Sequence, residues 1–148
     1  MRKIMIVDDN YLSAEGIEKN IDWEVLNAEI VHICYNGTSA IDAMKKEPVD
    51  LIISDIEMPD LDGISMSRQA LDINPMVKII LISAYDKFEY ARRALLLGAL
   101  DYIEKPLDYA YLIQKVKNAF ALMEREQKNL QLLKQSLSLI HISEPTRR

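Results

Sequence analysis

Apolar runs rich in β-branched residues recur along the chain, separated by amphipathic stretches. Ile4-Met5-Ile6-Val7, Leu51-Ile52-Ile53-Ser54 and Lys78-Ile79-Ile80-Leu81-Ile82 are nearly continuous rather than alternating. Continuity of this kind suits strands buried on both faces of a parallel sheet. The pattern predicts strands near Lys3–Val7, Ala28–Tyr35, Asp50–Ser54, Val77–Ile82 and Leu100–Glu104. It predicts helices near Tyr11–Ile21, Thr38–Glu47, Gly63–Ile73, Lys87–Leu97 and from Asp108 onward. Pro48 stops the second helix and Asn74-Pro75 the third, while Gly98 suits a C-terminal cap on the fourth. Asp108 suits the N-cap of the last helix. Strand and helix alternate five times. That order predicts a doubly wound α/β fold, a five-stranded parallel sheet with helices on both faces. Periodicity does not give the strand order.

The last helix is extended. No Gly or Pro follows Ala110 until Pro145, and apolar residues recur at Leu112, Val116, Ala119, Met123, Leu130 and Leu133. The steps alternate between four and three residues, interrupted at Glu126. The first half is expected to pack on the sheet, closing a domain over residues 1–121. Residues 122–136 are expected to form a helical linker with a thin coiled-coil seam. A solvated extension is the alternative, because short helices are marginal alone. Beyond it, Leu137 to Arg147 reads LSLIHISEPTR. This resembles the in-frame translation of a transposase adapter used in sequencing libraries. The tail 137–148 is therefore set aside as non-native, His141 with it, and the natural chain is expected to continue past about Gln135.

Charge and composition narrow the function. A net charge of -5 over 148 residues argues against a general nucleic-acid surface. No apolar stretch approaches the roughly 20 residues that span a bilayer. Met1-Arg2-Lys3 runs straight into a short strand, leaving no room for a secretory core. A cytoplasmic location is expected, with no membrane partner. The single cysteine, Cys34, excludes an internal disulfide. Its apolar surroundings, Ile30-Val31-His32-Ile33, make it a buried structural thiol.

The chemistry gathers at strand ends. Asp8-Asp9 follow the first strand, Asp55 the third, Ser83 the fourth and Lys105-Pro106 the fifth. In parallel sheets the carboxyl ends of the strands line one crevice, where ligands bind. Three carboxylates sharing a pocket repel one another, and a hard divalent cation resolves the repulsion. Magnesium suits such oxygens, with Asp9 and Asp55 binding directly and Asp8 directly or through a water. Asp55 is the natural nucleophile toward phosphorus, giving an acyl phosphate. Lys105 would neutralise the transferring group and the Ser83 hydroxyl would donate to it. A cis Lys105–Pro106 bond would turn the chain and aim the ammonium into the crevice. Each piece has a plainer structural alternative. Asp8-Asp9 make a good turn and cap, Asp55 to Gly63 a loop, Ser83 a helix cap and Lys105 a solvated lysine. Their coincidence at one end of the sheet favours a site.

At these residues the chain resembles the receiver domain of two-component response regulators. The matching pieces are Ile6-Val7-Asp8-Asp9-Asn10, Asp55 through Gly63, Ile82-Ser83-Ala84-Tyr85 and Asp101-Tyr102-Ile103-Glu104-Lys105-Pro106-Leu107. The resemblance implies a flavodoxin-like receiver fold and a magnesium ion held by Asp8, Asp9, Asp55 and the backbone carbonyl of Glu57. It also implies a phosphoacceptor at Asp55, an assisting Lys105, and a switch pair of Ser83 and Tyr102. Ile21-Asp22-Trp23-Glu24 and Ser83 through Ala91 narrow it to regulators with an AraC-type helix-turn-helix effector. The implied partners are a sensor histidine kinase and a second copy. The copy would dock through the face of the fourth helix, fifth strand and fifth helix, or through the linker helix. DNA would be reached only through an effector domain absent from this chain.

Other functions share parts of this pattern. An aspartyl-phosphate phosphatase uses similar acids, but Asp55-Ile56-Glu57 lacks a second aspartate as general acid, and no cap domain is present. A flavin module would need a phosphate cradle where Asp8-Asp9-Asn10 is acidic. A receiver acting only by protein contact is a further alternative that the complete acidic set disfavours. The favoured reading is a phosphorylation-dependent switch rather than an enzyme.

Overall fold

The apolar runs form the sheet they predict. In the computed structural model, which describes residues 1–84 and 88–143, the order is β1 (Arg2–Val7), α1 (Tyr11–Asn20), β2 (Ala28–Cys34), α2 (Gly37–Lys46), β3 (Leu51–Asp55), α3 (Gly63–Ile73), β4 (Lys78–Ser83), α4 (Phe88–Leu97), β5 (Asp101–Glu104) and α5 (Tyr109–Ser143). Expected boundaries hold to within one residue. The expected start of the fourth helix, Lys87, lies outside the described residues, as do Tyr85 and Asp86 of the subfamily motif.

All four strand pairings are parallel, in the order β2-β1-β3-β4-β5. Strand order reverses between β1 and β3, the switch point where ligands sit in open α/β sheets. Alternate strand residues face opposite sides. Met5, Val7, Ile52, Ile79 and Leu81 share one cluster with Ala40 and Met44 of α2, Ile64 and Met66 of α3, and Ala94 of α4. Ile4, Ile6, Ile53 and Ile80 alternate with them and are equally buried. On their side α1 packs on β1, with Ala14 and Ile17 buried. Burying such a side chain contributes roughly 1.5–3 kcal/mol. The apolar runs can therefore hold several charged groups together at the sheet's edge.

Local chemistry fixes the helix ends. Asn10 accepts from the amides of Leu12 and Ser13 to start α1, and Asp62 accepts from Ser65 to start α3. Asp108 does the same for α5, accepting from Ala110 at 3.0 Å. Glu47, ahead of Pro48, closes α2 with a bond to the Ala43 carbonyl, and Asn74, ahead of Pro75, closes α3 on Ala70. Gly98 adopts φ +98° after α4, and its amide bonds the Leu95 carbonyl. Trp23 is buried beside the start of β2, its indole donating to the Ile17 carbonyl at 3.3 Å. It thus lies at the opposite end of the strands from the acidic residues. Cys34 is buried, with its sulfur 4.0 Å from that of Met5.

Two compact units divide the chain, Met1–Lys115 and the remainder from Val116. In the second unit Val116, Ala119 and Met123 are buried, while Leu130, Leu132, Leu133 and Leu137 are exposed. The helix is unbroken to Ser143. Among the described residues no helix is long and apolar enough to cross a membrane.

Gly98→Ala tests the cap. A Cβ at Gly98 would meet nothing within 4 Å, so any cost is conformational. The substitution should destabilise the fold by about 1 kcal/mol in urea unfolding without changing the m-value.

Candidate functional site

Parallel pairing brings the polar residues to one edge. Val7 pairs with Ser54 across β1 and β3, and Asp55 pairs with Ile82 across β3 and β4. Ser83 then lies opposite Glu104 of β5, directly ahead of Lys105. Asp8 follows β1, its amide bonded to the Cys34 carbonyl at 3.0 Å. One carboxylate oxygen each from Asp8, Asp9 and Asp55 lies within 4.8 Å of the others. Asp8 and Asp55 are buried, and Asp9 faces solvent.

Lys105 completes the set. Its Nζ stands 3.3 Å from Asp55 Oδ2. Its amide donates to the Ser83 carbonyl at 2.8 Å, and the bond to Pro106 is cis, as expected. The Asp55 backbone is held on several sides. Its carbonyl accepts from Ser54 Oγ at 2.8 Å, and the next amide, of Ile56, donates to the Ile82 carbonyl at 3.0 Å. Gly63 sits so close that a Cβ there would collide with the Asp55 carbonyl oxygen and with Ile56 Cα. Only glycine lets α3 begin at that distance.

The electrostatics are unfavourable to the bare carboxylates. Burial is the main cause that pushes Asp8 up to about 6, and Asp55 and Asp9 add to it. The Asn10 amide and Lys105 oppose the rise. Asp55 is also raised, again chiefly by burial, against the pull of Lys105 and of the Glu57 and Ile56 amides. A lysine at 3.3 Å thus does not fully offset the desolvation. An all-oxygen, carboxylate-only donor set that is costly to charge fits a hard divalent cation rather than a soft one. Asp8, Asp9 and Asp55 would hold it.

Ser83 does not cap a helix among the described residues. Its hydroxyl is wholly buried and has no hydrogen-bond partner among them. A buried hydroxyl left unmatched costs roughly 1–3 kcal/mol. Tyr102 is half-buried, its ring packed against the α2–α3–α4 side of the core. Glu57 is exposed in the loop after Asp55, and its amide lies 3.4 Å from Asp55 Oδ1.

One residue of this loop carries more than its sequence suggested. Asp60 accepts from the amides of Gly37 at 3.2 Å and Thr38 at 3.0 Å. It caps α2 from a distant loop, and the Thr38 side chain, followed by the Thr38 amide and more weakly by the Leu61 and Gly37 amides, holds its carboxyl well below the usual range. No local signal could have found it, since its partners lie 22 and 23 residues away.

The sequence matches the response regulator receiver domain family over residues 4–117. The chain belongs to that family. Among curated receiver proteins, it is 29% identical over 126 residues to the uncharacterized transcriptional regulatory protein YesN of Bacillus subtilis, covering 85% of this chain and 34% of that protein. It is 32% identical over 114 residues to the transcriptional regulatory protein HptR of Staphylococcus aureus, covering 76% of this chain and 44% of that one. The chain therefore spans less than half the length of these relatives. Among solved receiver structures, the REC domain of AraT, a response regulator from Geobacillus stearothermophilus, is 34% identical with a TM-score of 0.80. The alignment covers 85% of this chain and 98% of that domain. A two-component transcriptional regulator AraC from Clostridium phytofermentans is 30% identical with a TM-score of 0.77, covering 87% and 99%. The flavodoxin-like receiver fold expected from the motifs is the fold observed.

Burial of the Asp8 charge, with a smaller contribution from its acidic neighbours, predicts a stability gain when that charge is removed. The folded-state value for Asp8 lies above the usual value of roughly 3.9. Its favourable contribution is therefore complete below about 4 and lost as pH rises through about 6. At pH 7.5 without divalent metal, Asp8→Asn should stabilise the fold by about 1–2 kcal/mol, allowing for screening by crevice water. The gain should vanish below pH ~4. Thermal unfolding in chelator across this range checks it. No gain at pH 7.5 would mean the carboxylates are better solvated than their burial indicates.

Proposed function

We propose that the chain is a phosphorylation-controlled switch that takes a phosphoryl group onto Asp55. The observation that carries this reading is the convergence of Asp8, Asp9 and Asp55 with the Lys105 ammonium on one strand edge. The chemistry needs each of them. A magnesium ion on Asp8, Asp9, Asp55 and the Glu57 carbonyl would neutralise the acids and supply charge for the transferring oxygens. A carboxylate oxygen of Asp55 attacks phosphorus in line. The bond from phosphorus to the donor's nitrogen or oxygen breaks, the leaving group takes the electron pair, and an acyl phosphate forms. With a sensor histidine kinase the leaving group is its imidazole. Lys105, already beside Asp55, moves its ion pair to a phosphoryl oxygen. Water later cleaves the acyl phosphate, inorganic phosphate leaves and the carboxylate is restored, which resets the switch.

The unmatched Ser83 hydroxyl supports the response. A phosphoryl oxygen is the acceptor it lacks, and moving toward it frees space for the Tyr102 ring to turn inward. The equilibrium between two conformers would shift through these new contacts. Inverting a population from 1:99 to 99:1 takes on the order of 5 kcal/mol, within reach of one acyl phosphate ringed by a cation, a lysine and a hydroxyl. The altered surface lies around α4, β5 and the start of α5, where a second copy would dock. The leucine seam of the linker helix would extend that contact toward an effector domain, and through it to DNA in a cytoplasmic setting. The curated relatives named as transcriptional regulators support that assignment, since they are longer than this chain.

Treatment with magnesium and acetyl phosphate should add the mass of one phosphoryl group, labile to hydroxylamine. Asp55→Asn should abolish the gain, because an amide is a far poorer nucleophile. Full labelling of that variant would sink the assignment. Magnesium alone should shift the backbone amides near Asp9 and Asp55, and Lys105→Ala should impair phosphorylation more than this binding. Light scattering with beryllofluoride should show a shift toward dimer. Unchanged mass together with unchanged amide shifts around Tyr102 would refute the Ser83–Tyr102 relay.

A further inference from the structure

A contact behind the site ties α1 to the loop that carries Lys105. Tyr109, the first residue of α5, reaches back to α1, and a Cβ placed on Gly16 would run into its hydroxyl oxygen. The next ring atom, Cζ, would stand at 3.6 Å, an ordinary contact. Tyr109 therefore sits on a helix position left bare for its last atom. Between this contact and the acidic crevice lies a cavity of about 120 Å³. Asp8, Ser13 and Ile17 line it on one side, and Lys105, Pro106 and Tyr109 on the other.

We propose that Tyr109, seated on Gly16, is a positioning residue that sets where the Lys105 ammonium stands relative to Asp55. The inference rests on the reading of Asp55 as phosphoacceptor. Lys105 is fixed on one side by its amide bond to the Ser83 carbonyl at 2.8 Å. On the other side only Pro106, Leu107 and Asp108 separate it from Tyr109. Asp108 is itself committed to capping α5. The loop is thus a short strap between two anchors, the β4 edge and the Tyr109 seat. Lys105 borders that cavity, so the strap contributes to where the residue stands before its ammonium meets Asp55. Displacing the ring shifts one anchor and moves the ammonium from its 3.3 Å approach to Asp55. The substitution removes no carboxylate that would hold the cation, so the donor set of Asp8, Asp9 and Asp55 is kept.

The test separates positioning from folding, because Gly16→Ala places a better helix former in α1. Phosphorylation of the full chain by acetyl phosphate with magnesium is followed by mass, beside the thermal midpoint and the magnesium-induced amide shifts at Asp9. Gly16→Ala should keep or raise the thermal midpoint and leave magnesium affinity within twofold, yet slow phosphorylation about 5–10-fold. Gly16→Ala with Tyr109→Phe removes the colliding oxygen and should restore the parent rate to within twofold. In a Lys105→Ala background, Gly16→Ala should change the remaining rate by less than twofold, since the group being positioned is gone. An unaltered rate in Gly16→Ala would overturn the inference. So would an equal loss with and without Lys105, or failure of Tyr109→Phe to rescue. If the parent chain itself gains no phosphoryl group, the phosphoacceptor reading falls, and the inference with it.

Discussion

Everything at the working edge follows from one conflict. Three carboxylates stand where the strands end, two of them buried, and burial raises Asp8 and Asp55 despite a lysine 3.3 Å from Asp55. Left alone, such a cluster would disperse. It holds because the strands beneath it carry continuous apolar runs buried on both faces, whose summed burial outweighs a desolvation cost of about a few kcal/mol. The sheet thus stores an electrostatic cost at a fixed place. Any event that brings positive charge to that place, or changes the charge there, acts on a site already under tension.

That arrangement explains why the surrounding loops are so tightly held. Asp55 cannot drift, because Ser54, Ile56 and Gly63 fix its backbone. The following loop cannot lift, because Asp60 ties it to the start of α2. The fifth-strand loop is fastened to β4 through Lys105 and Ser83. Against this rigid frame Ser83 stands out as a buried hydroxyl without a partner among the described residues. That hydroxyl leaves one contact unmade at the end of β4, beside the acidic edge.

Much of this is legible in the sequence alone. Apolar runs gave the strands, and proline, glycine and aspartate gave the helix ends, because those signals are local. The cluster itself was legible for a topological reason. In a parallel sheet every strand's carboxyl end points to the same side, so placing Asp8, Asp55, Ser83 and Lys105 needs only the strand assignments. What stayed hidden depends on pairs far apart in sequence. The strand order, the reach of Asp60 to Gly37, and the meeting of Tyr109 with Gly16 have no local signature. Gly16 in particular reads in sequence as a weak point of a helix. Only the fold shows what occupies the space its missing side chain leaves.

The extended helix poses the remaining question of how a small change at one edge is transmitted. Its apolar residues Val116, Ala119, Met123, Leu130 and Leu133 keep one heptad phase, broken only at Glu126. Those at the start of this stretch are buried and the leucines beyond Glu126 are exposed. An isolated helix with leucines facing water gains little from its own packing. A second copy with the same seam would bury them in register, at the interruption's expense of one Glu126 per chain. The same helix begins at Tyr109, within reach of the lysine strap, so a shift at Lys105 and a change in α5 need not be separate events. On the proposed reading, phosphorylation at Asp55 and the pairing of two chains would be linked through the first turn of one helix, the short covalent path from Lys105 into α5.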